Sequence, residues 1–130
     1  MPLLLLACPS FFERWEEHLL FYQEEDEQLL YLDLGEFADH LVELHKGHRV
    51  EEFPAVFQAV ESLHLEGDHF VKEAATIGLL EGLQNEARNI GVDPEEFLQY
   101  LGAQSLKWWR QLNDFWNAKI PYVGATIDEA

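Results

Sequence analysis

The sequence has little cysteine, little positive charge and no long apolar run, and each shortage excludes a class of protein. A single cysteine, Cys8, rules out a disulfide within the chain and fits a reducing cytoplasm. Only eight lysine and arginine residues stand against 25 acidic residues, so the basic patch that nucleic-acid binding requires is missing. The apolar segment at residues 2–8 is too short to span a bilayer and lacks the basic start of a secretion signal. We therefore predict a cytoplasmic protein that binds neither nucleic acid nor membranes.

The usual signatures of enzymes are also missing. The sequence contains no glycine-rich phosphate loop, no GxSxG, no HExxH and no Cys/His set with metal-ligand spacing. Cys8 has no basic neighbour that would activate it, which indicates a buried structural thiol. Carboxylates are so abundant that no one pair of them indicates acid–base catalysis. The sequence predicts a protein that is not an enzyme and that holds no cofactor and no metal.

What the sequence does contain is apolar material and negative charge. Hydrophobic residues make up 48% of 130 residues, and 13% of the chain is aromatic, which is enough for one domain with its own core. The formal net charge is −17. Such a charge repels nucleic acid and anionic membranes, and it attracts basic partners. Solubility alone is the alternative explanation of the charge.

Helix-start signals recur along the chain. Three of them pair a capping side chain with an acid three residues later, namely Ser10, Asp33 and Asp93, and Asp68 is a further cap without such an acid. Between these starts the apolar residues are spaced three and four apart, as in amphipathic helices. The predicted helices lie near residues 11–23, 34–46, 51–66, 69–90, 94–101 and 104–118.

These signals predict an all-α fold, a compact single-domain bundle of about five to six helices. The pairing of helices of this length permits a HEAT-like stack, although the repeat signature is missing. The helical domain covers residues 1–118, and residues 119–130 are predicted to form an extended C-terminal tail. The strand-like stretch at 29–34 has no partner strand and is predicted to be extended chain or a helical lead-in.

Two groups of acids are candidates for binding a basic protein partner. One is a run of four acids in a predicted loop, and the other is a helical stripe of like charges, which destabilises a helix slightly. A solvated surface is the alternative interpretation. The predicted partner-binding residues are Glu24, Glu25, Asp26, Glu27, Glu36, Asp39 and Glu43.

The predicted helix at 69–90 changes its buried face halfway along. At 100° per residue the apolar side moves at Leu79 and Leu80, and Gly78 and Gly82 would allow another helix to approach closely. Polar residues continue along the earlier face. They are predicted to form a partly buried structural network, with a partner-facing groove as the alternative, and they are Glu81, Gln84, Asn85 and Arg88.

Three histidines leave open a small metal-dependent enzyme. His40 and His45 lie on one predicted helix, and His64 lies on an apolar face, where a packing role is expected. A metal site needs three or four converging ligands. A functional role for these histidines with nearby acids is therefore kept as an alternative.

Several longer segments of the sequence resemble those of a protein family. The segments "ACPSF", "FPAVF", "EGD", "VKEAATIGLLEGLQN" and "WWRQLNDFW" resemble a family of small, acidic, all-helical uncharacterised bacterial proteins, some of which are similar to immunity proteins encoded beside polymorphic toxins. The resemblance covers most of the chain and implies stoichiometric inhibition rather than catalysis.

The leading hypothesis is therefore a bacterial immunity protein, an antitoxin that occludes the substrate-binding surface of a basic toxin domain, such as a nuclease or an RNA-modifying transferase. Two alternatives remain: an inhibitor that mimics nucleic acid and blocks a DNA- or RNA-binding protein, and the small metal-dependent enzyme.

Overall fold

Helices are the regular elements throughout residues 2–21 and 28–116, the part of the chain that the computed structural model describes. This confirms the predicted all-α class and the compact single domain. The predicted tail at 119–130 lies outside the described residues. In chain order the elements are α1 (Pro2–Ala7), a 3-10 helix (Pro9–Phe11), α2 (Phe12–Phe21), α3 (Gln28–Lys46), α4 (Phe53–Glu66), α5 (His69–Glu73), a π-helix (Ala74–Leu80), α6 (Glu81–Asn89), a second 3-10 helix (Pro94–Tyr100) and α7 (Ala103–Trp116).

Two of the predicted capping residues cap helices. The Asp68 carboxylate accepts a hydrogen bond from the backbone N–H of Val71 at 2.9 Å, at the start of α5. The Asp93 carboxylate accepts from the N–H of Glu95 at 3.0 Å, although the helix that it starts is 3-10 rather than α. Both side chains satisfy N–H groups that have no partner within the helix.

The other two predicted caps were wrong because tertiary partners take their side chains. Helix α3 begins at Gln28, so the stretch 29–34 is helical and Asp33 lies inside the helix, where it accepts from His18 of α2 at 2.7 Å. The hydroxyl of Ser10 lies 3.0 Å from His40 Nε2, and its backbone N–H donates to Glu52. In both places a contact distant in sequence replaces the local capping box.

Helix α3 and the helical stretch from α5 to α6 run parallel and approach each other closely. A Cβ built on Gly78 would lie 2.8 Å from Leu34, and one on Gly82 would lie 3.0 Å from Ala38 Cβ. Further along, the Lys46 ammonium donates to the carbonyl of Ile90 at 2.9 Å. The three contacts share an offset of 44 residues, so the two helices advance in the same direction. The predicted role of Gly78 and Gly82 is confirmed.

The π-helix at Ala74–Leu80 explains why the buried face moves along this stretch. Its hydrogen bonds connect residues five positions apart, as in the bond from the Glu81 N–H to the carbonyl of Thr76. A π-helix turns through a smaller angle per residue than an α-helix, so the direction of the side chains shifts as the segment proceeds. Residues on successive faces of this stretch are therefore buried against different neighbours. The buried residues include Thr76, Leu79 and Leu83.

Substitution of the glycines at this crossing should separate packing from helix propensity. Gly82→Ala is expected to lower the free energy of unfolding by about 1–2 kcal/mol, because the rigid Ala38 methyl cannot rotate away and the helices must separate. Gly35→Ala is the matched control, since a Cβ there meets nothing within 4 Å, and it should stabilise the protein by up to about 1 kcal/mol. Urea unfolding of both variants measures this. A stabilising Gly82→Ala would contradict the close packing.

The core lies where α3, α4, α6 and α7 meet, and its largest fully buried side chains include Trp109, Phe37 and Phe53. At its edge, Phe53, Phe97 and Tyr100 form edge-to-face and tilted aromatic pairs. Across residues 2–21 and 28–116, no helix is both long enough and apolar enough to cross a membrane.

Candidate functional site

Four carboxylates from two helices form an acidic face, defined as Glu36, Asp39 and Glu43 of α3 with Glu86 of α6. Glu86 lies one turn beyond Gly82, so the parallel packing of α3 and α6 places it near Asp39, whose pKa it raises. The acidic surface predicted along α3 therefore extends onto α6. The sequence could not indicate Glu86, because the offset between the helices depends on their packing.

Arg14 of α2 compensates part of this charge. Its Nε donates to Glu36 at 2.6 Å, and its Nη1 donates to Glu43. Burial alone would lower the pKa of Arg14, but the two carboxylates outweigh it and the pKa is raised. One guanidinium thus bonds to two carboxylates of the face but offsets only one negative charge, and among the described residues no cation is bonded to Asp39 or Glu86.

The charge that remains is visible in the pKa of Asp39. This pKa is raised to about 6, mainly by burial and then by the nearby Glu86 and Glu36, while Arg14 acts in the opposite direction. Asp39 is only half-buried, so a cation from outside can reach the face. A carboxylate in this position gains a strong interaction when a cation arrives.

Beside the acidic face, the outer side of α2 exposes apolar residues between acids. Phe12 is 55% exposed and Leu20 is 71% exposed, and Glu13, Glu16 and Glu17 are exposed between them. The bond between His18 and Asp33 brings the exposed Leu32 of α3 to the same end of the helix pair. Apolar anchors surrounded by charge are typical of surfaces that bind proteins. The predicted acids Glu24, Glu25, Asp26 and Glu27 lie outside the described residues.

The polar residues of the predicted network in α6 are not all buried. Gln84 is 1% exposed and donates to the side-chain oxygen of Asn113 of α7 at 3.4 Å. Glu81 is half-buried, whereas Asn85 and Arg88 are exposed. The placement of Asn85 and Arg88 inside a network was wrong, because it assumed 100° per residue through a segment that is a π-helix. Gln84 is buried and hydrogen-bonded, as predicted, although its partner on α7 could not be identified from the sequence.

The histidines proposed for a metal enzyme are bonded in three separate places. His40 bonds to Ser10, His45 bonds to Glu96 and Tyr100, and His64 bonds to Ser105 and Thr76. No three metal-binding side chains converge within the described part of the chain. Cys8 is fully buried, and burial raises the pKa of its thiol, as expected for a structural cysteine.

A buried polar chain joins α4 to the start of α7, and sequence reasoning missed most of it. The Glu61 carboxylate accepts from the backbone N–H groups of Gln104 and Ser105 at 2.8 and 2.9 Å and from the Ser105 hydroxyl. His64 lies 2.9 Å from the same hydroxyl and 3.2 Å from that of Thr76. The one signal in the sequence is that α7 starts without a capping side chain, because Gly102 precedes it.

Gly102 is required by this arrangement. A Cβ there would lie 2.5 Å from the Glu61 carboxyl carbon, so only glycine lets the carboxylate reach the helix start. Burial raises the pKa of Glu61, but the hydrogen bonds from Gln104 and Ser105 lower it by more, so the net shift is downward. Burial also lowers the pKa of His64 to about 4. These groups are therefore structural.

The fold and the acidic face together define an all-helical domain with a cluster of carboxylates that one arginine compensates only in part. The chain belongs to the family described as Domain of unknown function (DUF7674), whose model matches residues 1–117. No curated protein matches the chain, and no solved structure does.

Proposed function

We propose that this protein binds a basic protein partner through the acidic face and acts as a stoichiometric inhibitor in the cytoplasm. The convergence of four carboxylates with one bonded guanidinium carries the proposal, because a single positive charge cannot offset four negative ones. The pKa of Asp39, raised first by burial and then by Glu86 and Glu36, agrees with this. A lysine or arginine of a partner would complete the ion pairing that Arg14 begins. The net charge of −17 would steer such a partner from a distance.

The outer side of α2 supplies the apolar part of the proposed interface. Phe12 and Leu20 lie eight positions apart on one helix, which corresponds to about 12 Å at the helical rise. Arg14, on the same helix, bonds to the acidic face, so the apolar anchors and the carboxylates are carried by neighbouring helices. Buried anchors contribute most of the affinity of protein interfaces, and surrounding charges mainly raise the rate of association.

The class of partner follows from the resemblance described above. An immunity protein that occludes a basic toxin domain needs an acidic surface and no catalytic machinery of its own. A nuclease or an RNA-modifying transferase would supply the basic substrate-binding surface. The first check is genetic: a secreted-toxin gene directly upstream supplies the partner for binding experiments, and its absence argues against this proposal.

Neutralising the acidic face should weaken binding to that toxin domain. The triple variant Asp39→Asn, Glu43→Gln, Glu86→Gln is expected to lose about 100-fold in affinity at low salt, roughly 1 kcal/mol per charge. The matched control neutralises three exposed acids elsewhere, Glu51, Glu66 and Glu95, and changes the net charge equally. Calorimetric titration at several salt concentrations measures both. Equal losses in the two variants would show that only net charge matters.

The pH dependence of the same titration tests the contact with Asp39. A partner cation lowers the pKa of Asp39 from about 6, so binding should release a proton and tighten as the pH rises from about 5 to 7. The Asp39→Asn variant should lose this dependence. Nucleic-acid mimicry remains the alternative prediction, in which the partner is a DNA- or RNA-binding protein without toxin activity.

A further inference from the structure

The C-terminal ends of α3 and α6 enclose a cleft of about 400 Å³ that the acidic face does not include. This volume falls within the range of small-molecule sites, roughly 300–1,000 Å³. The second 3-10 helix closes one side, held by His45, whose Nε2 donates to Glu96 at 2.8 Å and whose Nδ1 bonds to the Tyr100 hydroxyl at 2.9 Å. Side-chain bonds therefore fix one side of the cleft.

The walls of the cleft carry opposite charges. One wall offers acceptors, the Glu96 carboxylate and the oxygen of Tyr100, and the other offers donors, the Lys46 ammonium and the His48 ring. Lys46 uses one of its three protons on the Ile90 carbonyl, which leaves two for a ligand. Val50 and Val92 supply short apolar walls.

His48 occupies a backbone conformation that favours glycine. Its φ is +59°, and it follows the end of α3 at the position where Gly91, with φ +79°, follows α6. Both helix ends close with a backbone hydrogen bond between residues five positions apart, from the Arg49 N–H to the Leu44 carbonyl and from the Val92 N–H to the Ala87 carbonyl. This is the Schellman arrangement. The end of α6 has the expected glycine, whereas the end of α3 holds a histidine that lines the cleft. Strain of this kind clusters at functional sites.

We propose that this cleft binds a small zwitterion with a short aliphatic body, the chemistry of a free aliphatic amino acid. Its carboxylate pairs with Lys46 and His48, and its ammonium donates to Glu96 and the Tyr100 oxygen. Its aliphatic part lies against Val50 and Val92. A ligand with a single charge would meet one wall of like sign, which is why both charges are required.

Titration of the full-length chain, followed through its backbone amide NMR signals, tests the proposal with L-leucine as the probe. Isocaproate and isoamylamine, which each carry one of its two charges, are the controls. Leucine should shift the amides around the cleft in a saturable way with a Kd of about 1 mM or lower, and each control should bind at least about tenfold more weakly. No saturable shift with leucine or valine would refute the site, and isocaproate binding as tightly as leucine would refute the zwitterion.

His48→Gly is a variant that we expect to fold, because glycine adopts the positive φ of this position without strain. Glycine relieves the strained backbone, so the Tm should rise by about 3 °C, while the affinity for leucine should fall at least about tenfold. A higher Tm with unchanged leucine affinity would overturn the role of His48. Glu96→Gln, on the opposite wall, should weaken leucine and leave isocaproate unaffected or bound more tightly.

Discussion

Replacing Glu61 with alanine is expected to lower the free energy of unfolding by about 3 kcal/mol, one of the largest effects of a single substitution in this protein. The carboxylate accepts three hydrogen bonds at the start of α7, two of them from backbone N–H groups. Bonds to a charged acceptor contribute about 1.5–3 kcal/mol each, and water replaces part of the loss. Urea unfolding at neutral pH, followed by circular dichroism, measures the change.

Two further variants serve as comparisons, one that removes the charge of Glu61 but keeps its shape and one at an exposed acid. Glu61→Gln keeps one acceptor oxygen and should lose about half as much stability as the alanine variant. Glu66→Ala, an exposed acid on the same helix, should change stability by less than about 0.5 kcal/mol. A loss below about 1 kcal/mol in Glu61→Ala would show that solvent satisfies the start of α7 and that Glu61 is not its cap.

The second large effect concerns acid sensitivity. Burial lowers the pKa of His64 from 6.5 to about 4, so between these values the unfolded chain binds a proton that the folded protein excludes. Stability from this group is fully present above about pH 6.5 and falls as the pH drops toward about 4. Between pH 7 and pH 5 the loss amounts to about 2 kcal/mol.

Asp39 opposes this effect. Its folded pKa is raised from 3.8 to about 6, so the folded protein binds a proton more readily than the unfolded chain, and stability rises as the pH falls through 6. After allowance for solvent screening, the gain between pH 7 and pH 5 is at most about 1 kcal/mol. The two residues partly cancel, so the unmodified protein should show only a shallow dependence.

Variants should make the separate contributions visible. Asp39→Asn removes the opposing titration, so this variant should lose about 2 kcal/mol between pH 7 and pH 5. Asp39→Asn combined with His64→Gln should lose little over that interval. Urea unfolding at the two pH values measures both. A steep loss that persists in the double variant would mean that another group is responsible.

Prediction from the sequence succeeded where a feature depends on neighbouring residues. Apolar periodicity identified most of the helices, and local chemistry identified Asp68 and Asp93 as caps. The small residues at 78 and 82 indicated a close helix crossing before its partner was known. These features depend on residues within one or two turns of each other, which a single sequence displays directly.

Prediction failed where a distant group competed with a local one. Asp33 was expected to begin α3, but its bond to His18 and the packing of the preceding residues extended the helix to Gln28. Arg88 was expected to be partly buried, but it is exposed on α6, which follows the π-helix. At Asp33 a tertiary contact thus replaced a local capping preference of about 1 kcal/mol.

By itself the sequence determined the all-helical class, the strong negative charge and the acidic stripe on α3, because composition and periodicity are properties of the chain. Only the tertiary structure decided which carboxylates meet, since the 44-residue offset between α3 and the stretch from α5 to α6 is set by glycine packing. It also decided that Arg14 bonds to Glu36 and Glu43, while no cation of the described residues is bonded to Asp39. Charge follows from composition, but the pKa of a carboxylate follows from its neighbours, which folding selects.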